Sequence, residues 1–243
     1  MEEHPLLIVD WVNGLLGPTV ASLFGIRVEP GEHVIPVQVI MAGIVVIVLM
    51  IMSLLLRARL SVENPGKFQQ VVEVAVEFLR GQLEENIGHG GARFLTMIGA
   101  IGFFIVISNL LGLIPGLAAP TSNINVPAGC AISMFLFYNY QGIRKQGVWH
   151  YLKHFAGPVW WLSPLMIPIE LISHIARPFS LTVRLYANIF AEELLIVVFF
   201  SLIPLLLPLP FMGFAIFGGF LQAYIFITLS QVYIAGAVAT EEH

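Results

Sequence analysis

The sequence predicts an all-α integral membrane protein with about five membrane helices, a surface amphipathic helix and a long tilted hairpin formed by the last two helices. Three observations lead to this class. Of the 243 residues, 58% are hydrophobic and 11% are charged, a balance too apolar for a soluble domain of this length. Apolar runs of about 20 residues, the length that a helix needs to cross hydrocarbon, recur along the chain. Lys and Arg gather at the ends of alternate runs, as they do in multi-pass membrane proteins.

We predict a single membrane domain over residues 1–243. Its parts are an external N-terminal segment over 1–33 and membrane helices over 34–57, 94–114, 125–143, 163–200 and 211–238. Arg57 and Arg59 follow the first of these helices, and Arg144 and Lys145 follow the third. Because positively charged residues near helix ends are retained in the cytoplasm, the pattern predicts an external N-terminus and a cytoplasmic C-terminus.

An amphipathic helix is predicted on the cytoplasmic side, over 66–87. Its apolar side chains recur at helical spacing, at Phe68, Val71, Val72, Ala75, Leu79 and Leu83. Charged residues occupy the other face, at Glu73, Glu77, Arg80 and Glu84. A mostly acidic face attracts anionic head groups weakly, so packing on protein and lying in the interface both remain open.

The last two apolar runs are too long to cross a membrane upright. About 38 residues at a rise of about 1.5 Å span roughly 57 Å, nearly twice a hydrocarbon core of about 30 Å. The fourth helix therefore breaks or lies steeply tilted, and the two runs form a hairpin. Bends and turns are offered by Pro164, Pro168, Pro178, Pro204, Pro208 and Pro210.

A polar stripe runs through the fourth helix. Its members are Glu170, His174, Arg177, Arg184, Asn188 and Glu192, whose spacings of 4, 3, 7, 4 and 4 keep them near one helical face. A cation at a helix centre costs about 2.5–3.5 kcal/mol even on the gentler insertion scale. Arg177 can snorkel or pair with Glu170, whereas Arg184 lies two turns deeper and indicates a path for ions.

Several residues near the stripe have more than one interpretation. Glu192 and Glu193 either line the path or approach the outer interface. His174 is either a satisfied polar group or part of the stripe, and Pro178 removes the backbone donor for its carbonyl. The aromatic residues Trp149, Tyr151, Trp160 and Trp161 predict a belt at the membrane interface.

Other functional classes find little support in the sequence. The net charge of −4 and the lack of GxGxxG or GxxxxGK[S/T] predict neither nucleic-acid nor direct nucleotide binding. One cysteine and no Cys/His array predict no metal, no cofactor and no catalytic site. A secondary ion-coupled transporter is the alternative, but it predicts an internal repeat, and no second segment resembles the surroundings of Arg184.

The segment SLTVRLYANIFAEEL at 180–194 closely resembles the arginine segment of subunit a of F-type ATP synthases, also called the ATPase subunit 6 family. Further motifs resemble that family in the same order: SNLLGLIPG at 108–116, NVP at 125–127, LQAYIF at 221–226 and EEH at 241–243. The resemblance covers residues 34–243.

This resemblance implies a non-catalytic stator subunit beside a rotating ring of c subunits, in a bacterial inner membrane or, alternatively, an organellar energy-transducing membrane. The implied partners are the c ring, the b-subunit peripheral stalk, other F-type ATP synthase subunits and membrane lipid. Two offset half-channels would couple proton flow to rotation and ATP synthesis, and Arg184 would be the essential arginine between them.

The resemblance also assigns residues to the half-channels. Asn188, Glu193 and Gln222 would line the outer one or flank the arginine, and Glu170, Ser173 and His174 would serve the cytoplasmic one. A straight count along the hairpin puts Gln222 more nearly opposite Glu193 than opposite Arg184, so its implied proximity to Arg184 comes from the family alone.

Two positions depart from the family pattern. Ala215 stands where some members have a histidine, and Glu192 stands where a small residue is common. One interpretation is that Glu192 replaces the missing histidine in the outer path.

Overall fold

The computed structural model describes residues 7–24, 34–88, 90–114, 117–148, 151, 163–202 and 208–238. Within these ranges the chain forms α-helices, two short 3₁₀ turns and no strand, which confirms the all-α class. The helices are α1 Leu7–Phe24, α2 Val37–Ala58, α3 Lys67–Ile87, α4 Leu95–Leu111, α5 Asn125–Gln146, α6 Ser163–Leu202 and α7 Pro208–Val238. The 3₁₀ turns are Gly91–Phe94 and Pro120–Ser122.

Among the described residues, four helices are long and apolar enough to cross a membrane. They are Val37–Ala58, Gly91–Leu111, Pro164–Leu202 and Leu209–Val238. Helix α5, with 22 residues, has the length for a span but carries more polar side chains. Two of them, Tyr138 and Asn139, lie against α6 and α7. Part of the polarity of α5 thus comes from residues that face protein.

Helix α6 is one continuous helix of 40 residues, with Pro168 and Pro178 inside it. At about 1.5 Å per residue it is roughly 60 Å long. Of the two predicted alternatives, breaking or tilting, the helix does not break. Helices α6 and α7 pack side by side, and the rings of Phe199 and Phe211 stack with centroids 4.2 Å apart. We call this end of the molecule the hairpin end.

Helix α3 packs on the opposite end, which we call the α3 end. Leu79 and Leu83 are buried there in a cluster that includes Phe94 and Ile98, since they lie at the i, i+4 spacing that keeps them on one face. Four apolar residues that precede Leu79 in α3 stay exposed: Phe68, Val71, Val74 and Phe78. The helix therefore packs on protein through its part from Leu79 onward and leaves an apolar surface on the part before it.

Helix α1 lies within the N-terminal segment, 1–33, for which the sequence predicted no helix. Val9 is buried against Ile40 and Met41 of α2. The Asn13 side chain accepts a hydrogen bond from the Ile35 N–H at 2.9 Å and donates to the Ile35 carbonyl at 3.2 Å. These contacts hold α1 against the start of α2.

The last turn of α7 is held by the end of α5. The Lys145 ammonium donates to the Val238 carbonyl at 2.7 Å, and the Gln146 amide donates to the Ala237 carbonyl at 3.1 Å. These carbonyls belong to the final turn, where intrahelical donors are lacking. Gly142 permits the approach, because a Cβ there would lie 3.0 Å from the Ala237 oxygen.

Candidate ion-translocation site

The predicted polar stripe of α6 divides into separate groups in the folded chain. We call Glu170, His174 and Arg177 the α3-end group, and Asn188 and Glu192 the hairpin-end pair. Arg184 lies between them and contacts neither by a hydrogen bond or ion pair among the described residues.

In the α3-end group, Arg177 pairs with Glu170 at 3.5 Å between Nη2 and Oε1. The pairing proposed from the sequence for Arg177 is thus confirmed. Both side chains are about one-third exposed, 31% and 38%, so the pair is worth at most about 1 kcal/mol. The guanidinium also lies 5.4 Å from the centroid of the Tyr233 ring, a cation–π contact that orients it.

His174 is buried, with 7% of its surface exposed. Its Nε2 lies 2.8 Å from Asn139 Oδ1 on α5. The rings of Phe135 and Tyr138 pack edge-on against the imidazole, at centroid distances of 5.0 and 5.6 Å. Tyr151 donates its hydroxyl to the same Asn139 oxygen at 2.8 Å. A polar pocket from α5, α6 and the segment after α5 therefore surrounds this histidine.

Arg184 is exposed on the outer side of α6. Within the part of the chain that the structure describes, its guanidinium has no hydrogen-bond or ion-pair partner. Small side chains flank it along one exposed line of the helix, at Ser173, Ala176, Ser180, Ala187 and Ala191. Small residues let another helix approach closely in a membrane, so this strip of small side chains leaves room for a neighbouring helix beside the arginine. Ser173, predicted to act with His174, lies on this strip.

The hairpin-end pair is joined by one hydrogen bond, in which the Asn188 amide donates to Glu192 Oε1 at 2.8 Å. The Glu192 carboxylate rests directly on Gly218 of α7, where a Cβ would occupy the space of Oε1. Glycine is thus required at 218 for the carboxylate to keep this position. The side chain is partly buried between the two long helices.

Glu193 faces a different neighbour. Its Oε1 accepts a hydrogen bond from the backbone N–H of Ala119 at 3.4 Å. The same loop supplies Thr121, whose hydroxyl donates to Asn109 Oδ1 at 2.8 Å, and the Asn109 amide donates to the Gly219 carbonyl at 3.1 Å. The two adjacent glutamates therefore have different neighbours, since Glu192 lies against α7 and Glu193 bonds the loop before α5.

The contact between Glu192 and Gly218 sets the register of the hairpin. In antiparallel helices, four residues backward on one correspond to four forward on the other, so Gln222 lies level with Asn188. The straight count from the sequence placed Gln222 more nearly at the level of Glu193 than of Arg184, and Asn188 lies between those two residues on α6. Gln222 is buried, with 5% of its surface exposed.

The sequence missed Asn139 and Tyr151, which complete the surroundings of His174. Asn139 is a polar residue inside a predicted membrane helix, and this position could have marked it as a candidate site residue. Tyr151 was predicted to lie in an interfacial belt, but it is buried against Gly142 because its hydroxyl has a partner inside the bundle. Trp149, Trp160 and Trp161, the other predicted belt residues, lie outside the described residues.

Among the described residues, no three His, Cys, Asp or Glu side chains are arranged to hold a metal ion.

The apolar helices, with charged and amide side chains inside them, define a polytopic membrane protein. The ATP synthase A chain family matches residues 38–235. The ATP synthase subunit a of Solibacter usitatus is 50% identical over 227 residues, covering 93% of this chain and 96% of that protein. That of Koribacter versatilis is 44% identical over 239 residues, covering 97% and 98%. The chain belongs to the ATP synthase A chain family.

Proposed function

We propose that this chain is the proton-channel stator subunit of the Fo sector of an F-type ATP synthase. Two offset half-channels and Arg184 couple proton flow across the membrane to rotation of the c ring, and so to ATP synthesis. The observation that carries the proposal is an exposed arginine, without a partner in the described chain, in the middle of an apolar helix of 40 residues. Such a charge costs about 2.5–3.5 kcal/mol or more unless something outside the helix balances it.

A carboxylate on the c ring is the balancing charge in this proposal. A fixed cation stabilises the ionised form of a carboxylate that faces it, which helps the ring site to release its proton. The same cation repels protons that would otherwise pass directly between the half-channels. The strip of small side chains around Arg184 supports this role, because a ring helix can approach closely there.

The separation of polar groups along α6 supports two half-channels. Glu170 precedes Arg184 by 14 residues, or about 21 Å of helix, and Glu192 follows it by eight, or about 12 Å. We assign Glu170, Ser173 and His174 to the cytoplasmic half-channel. Asn188, Glu192, Glu193 and Gln222 are assigned to the outer half-channel.

The charges at the α3 end support the orientation. Arg57 and Arg59 end α2 there, and Arg144 and Lys145 end α5. Positive charges at helix ends stay in the cytoplasm, so the α3 end is cytoplasmic and the hairpin end is external. The membrane is a bacterial inner membrane, and the b-subunit stalk and the remaining ATP synthase subunits are the other partners.

Glu192 takes the place of the histidine that some family members have at the position of Ala215. Two features support this exchange. Ala215 is buried and carries no polar group, and the Glu192 carboxylate reaches α7 at Gly218, three residues away. The second carboxylate thus supplies a titratable group between α6 and α7 where the histidine is missing.

The test is Arg184→Ala in the assembled enzyme, with Ser180→Ala as the matched control. Ser180 lies one turn away on the same exposed strip, and its replacement leaves the charge unchanged. We expect Arg184→Ala to abolish proton-driven ATP synthesis in membrane vesicles while the c ring still copurifies, and Ser180→Ala to retain synthesis. Normal ATP synthesis by Arg184→Ala would refute the proposal.

A further inference from the structure

Asn139 is the centre of a partly buried hydrogen-bond cluster that the family resemblance does not assign. Its Oδ1 lies 2.8 Å from the Tyr151 hydroxyl and 2.8 Å from His174 Nε2. Its Nδ2 donates to the Phe135 carbonyl, one turn back on α5, at 2.7 Å. Three separate groups therefore converge on one amide side chain.

The Phe135 carbonyl fixes which way round the amide lies. A carbonyl only accepts hydrogen bonds, so the Asn139 NH₂ group must face it, and Oδ1 must face the histidine and the tyrosine. Because Oδ1 carries no hydrogen, His174 Nε2 has to be the donor. In a neutral imidazole the lone pair then lies on Nδ1.

The Tyr151 hydroxyl donates a hydrogen bond to the same Asn139 oxygen. Burial raises the pKa of the Tyr151 phenol above its ordinary value, so the hydroxyl keeps its proton and remains a donor. Its ring lies against Gly142, where a Cβ would come within 2.7 Å of the ring carbon Cε2. The hydroxyl is therefore held at a defined place beside Asn139.

The other ionisable and charged groups around His174 come from three helices. Glu170 and Arg177 lie on α6 itself. Tyr138 on α5 packs on the imidazole, and Tyr233 on α7 lies between Tyr138 and Arg177. A change in the hydrogen bonding of His174 therefore takes place beside the Arg177–Glu170 ion pair and the two tyrosine rings.

We propose that Asn139 is a positioning residue of the cytoplasmic half-channel. Its amide oxygen holds the His174 imidazole in the tautomer with hydrogen on Nε2, so that Nδ1 is the nitrogen that accepts a proton. This inference rests on the proposed function, which supplies the half-channel. Asn139 itself takes no proton, because an amide oxygen is a weak base, and it acts only through the histidine.

The test compares Asn139→Ala with Asn139→Asp and with a control, Asn125→Ala, an exposed asparagine at the other end of α5. Passive proton conductance through the membrane sector is measured in inverted vesicles stripped of the catalytic sector, as a function of pH on the cytoplasmic side. Conductance is normalised to the amount of this chain and of c ring in the vesicles. Asn139→Asp keeps the size of the side chain and is the variant that preserves folding.

We expect Asn139→Ala to lower conductance roughly fivefold or more, the equivalent of one lost hydrogen bond, and to move the pH midpoint. In Asn139→Asp the midpoint lies at higher pH than in Asn139→Ala, because a carboxylate stabilises a charged imidazolium and a methyl group does not. Replacing His174 with Ala removes the effect of either Asn139 variant on the midpoint. Asn125→Ala behaves like the unaltered chain.

Two results would overturn the inference. One is an unchanged pH midpoint in both Asn139 variants, which would leave Asn139 with a packing role only. The other is an effect of Asn139→Ala that persists undiminished when His174 is already Ala, since the asparagine would then not act through the histidine. If Arg184→Ala still supports ATP synthesis, the proposed function fails, whereas failure confined to the Asn139 variants removes this inference alone.

Discussion

Replacing Gly218 with Ala should displace the Glu192 carboxylate from its place between α6 and α7. The added Cβ would occupy the space of Oε1 and lie 3.2 Å from the carboxylate carbon Cδ. The glutamate end is flexible and moves, but it then gives up the 2.8 Å hydrogen bond from Asn188. Hydrogen bonds to charged groups contribute about 1.5–3 kcal/mol, and overpacking costs about 1–3 kcal/mol. We expect a destabilisation of about 1–3 kcal/mol.

The same helix provides the matched control, Gly213→Ala. A Cβ at 213 meets no atom within 4 Å. Since Ala favours a helix over Gly by about 1 kcal/mol, this control should be neutral or slightly stabilising. Both variants gain one methyl group on α7, so the difference between them reports the contact with Glu192.

The assay is thermal denaturation of the detergent-purified complex, together with proton conductance at matched chain content. In a Glu192→Ala background the displaced group is gone, so Gly218→Ala should then resemble Gly213→Ala. A coupling of about 1 kcal/mol or more between positions 192 and 218 is the expected sign of direct contact. Equal stability and conductance of Gly218→Ala and Gly213→Ala in the unaltered background would refute the reasoning.

Two further predictions concern the packing that supports the site. Lys145→Met removes the bond from the ammonium to the last turn of α7 and should lower stability by about 1 kcal/mol, since the lysine is partly solvated. Arg144→Met, at an exposed neighbouring position, should not, and equal melting temperatures would contradict this account. Asn86→Ala removes the 2.7 Å bond from the Asn86 amide to buried Gln231 and should speed hydrogen exchange along α3 in the complex. Glu85→Ala, which points to solvent, should leave that exchange unchanged, and faster exchange in both variants would argue against the bond.

The apolar runs predicted the helices well because hydrocarbon imposes a simple rule on length and composition. A run of about 20 apolar residues has few structures open to it other than a helix. The prolines of α6 left breaking and tilting as alternatives. Pro168 and Pro178 offered a break, yet the helix continues through both, because membrane helices tolerate proline where neighbouring groups satisfy the freed backbone atoms.

The surroundings of the site were harder to predict because they depend on contacts between distant parts of the chain. His174 finds its partner on another helix, 35 residues earlier in the sequence, and no local spacing indicates such a pair. Tyr151 shows the same limit. An aromatic residue near a helix end is typical of an interface, and only the folded chain brings its hydroxyl to Asn139.

The alignment of α6 with α7 could not be obtained by counting residues in the sequence. The predicted alignment depended on where the chain turns between α6 and α7, and the sequence does not mark that point. The contact of Glu192 with Gly218 fixes that alignment without reference to the turn. By contrast, the ion pair of Arg177 with Glu170 lies within one helix, where spacing indicated the pair as one of two alternatives.

Because α6 is continuous, it fixes the distances along the proposed proton path. All of the residues proposed for the two half-channels, except Gln222 and the positioning residue Asn139, lie on this one helix. Their separations are therefore multiples of a fixed rise, and their directions are multiples of a fixed rotation. One residue inserted between Arg177 and Arg184 would turn everything beyond it by about 100° relative to the α3-end group. A four-residue insertion would nearly restore the direction while lengthening the offset by about 6 Å. The number of residues between the α3-end group and the hairpin-end pair therefore sets the distance between the two ends of the proposed path.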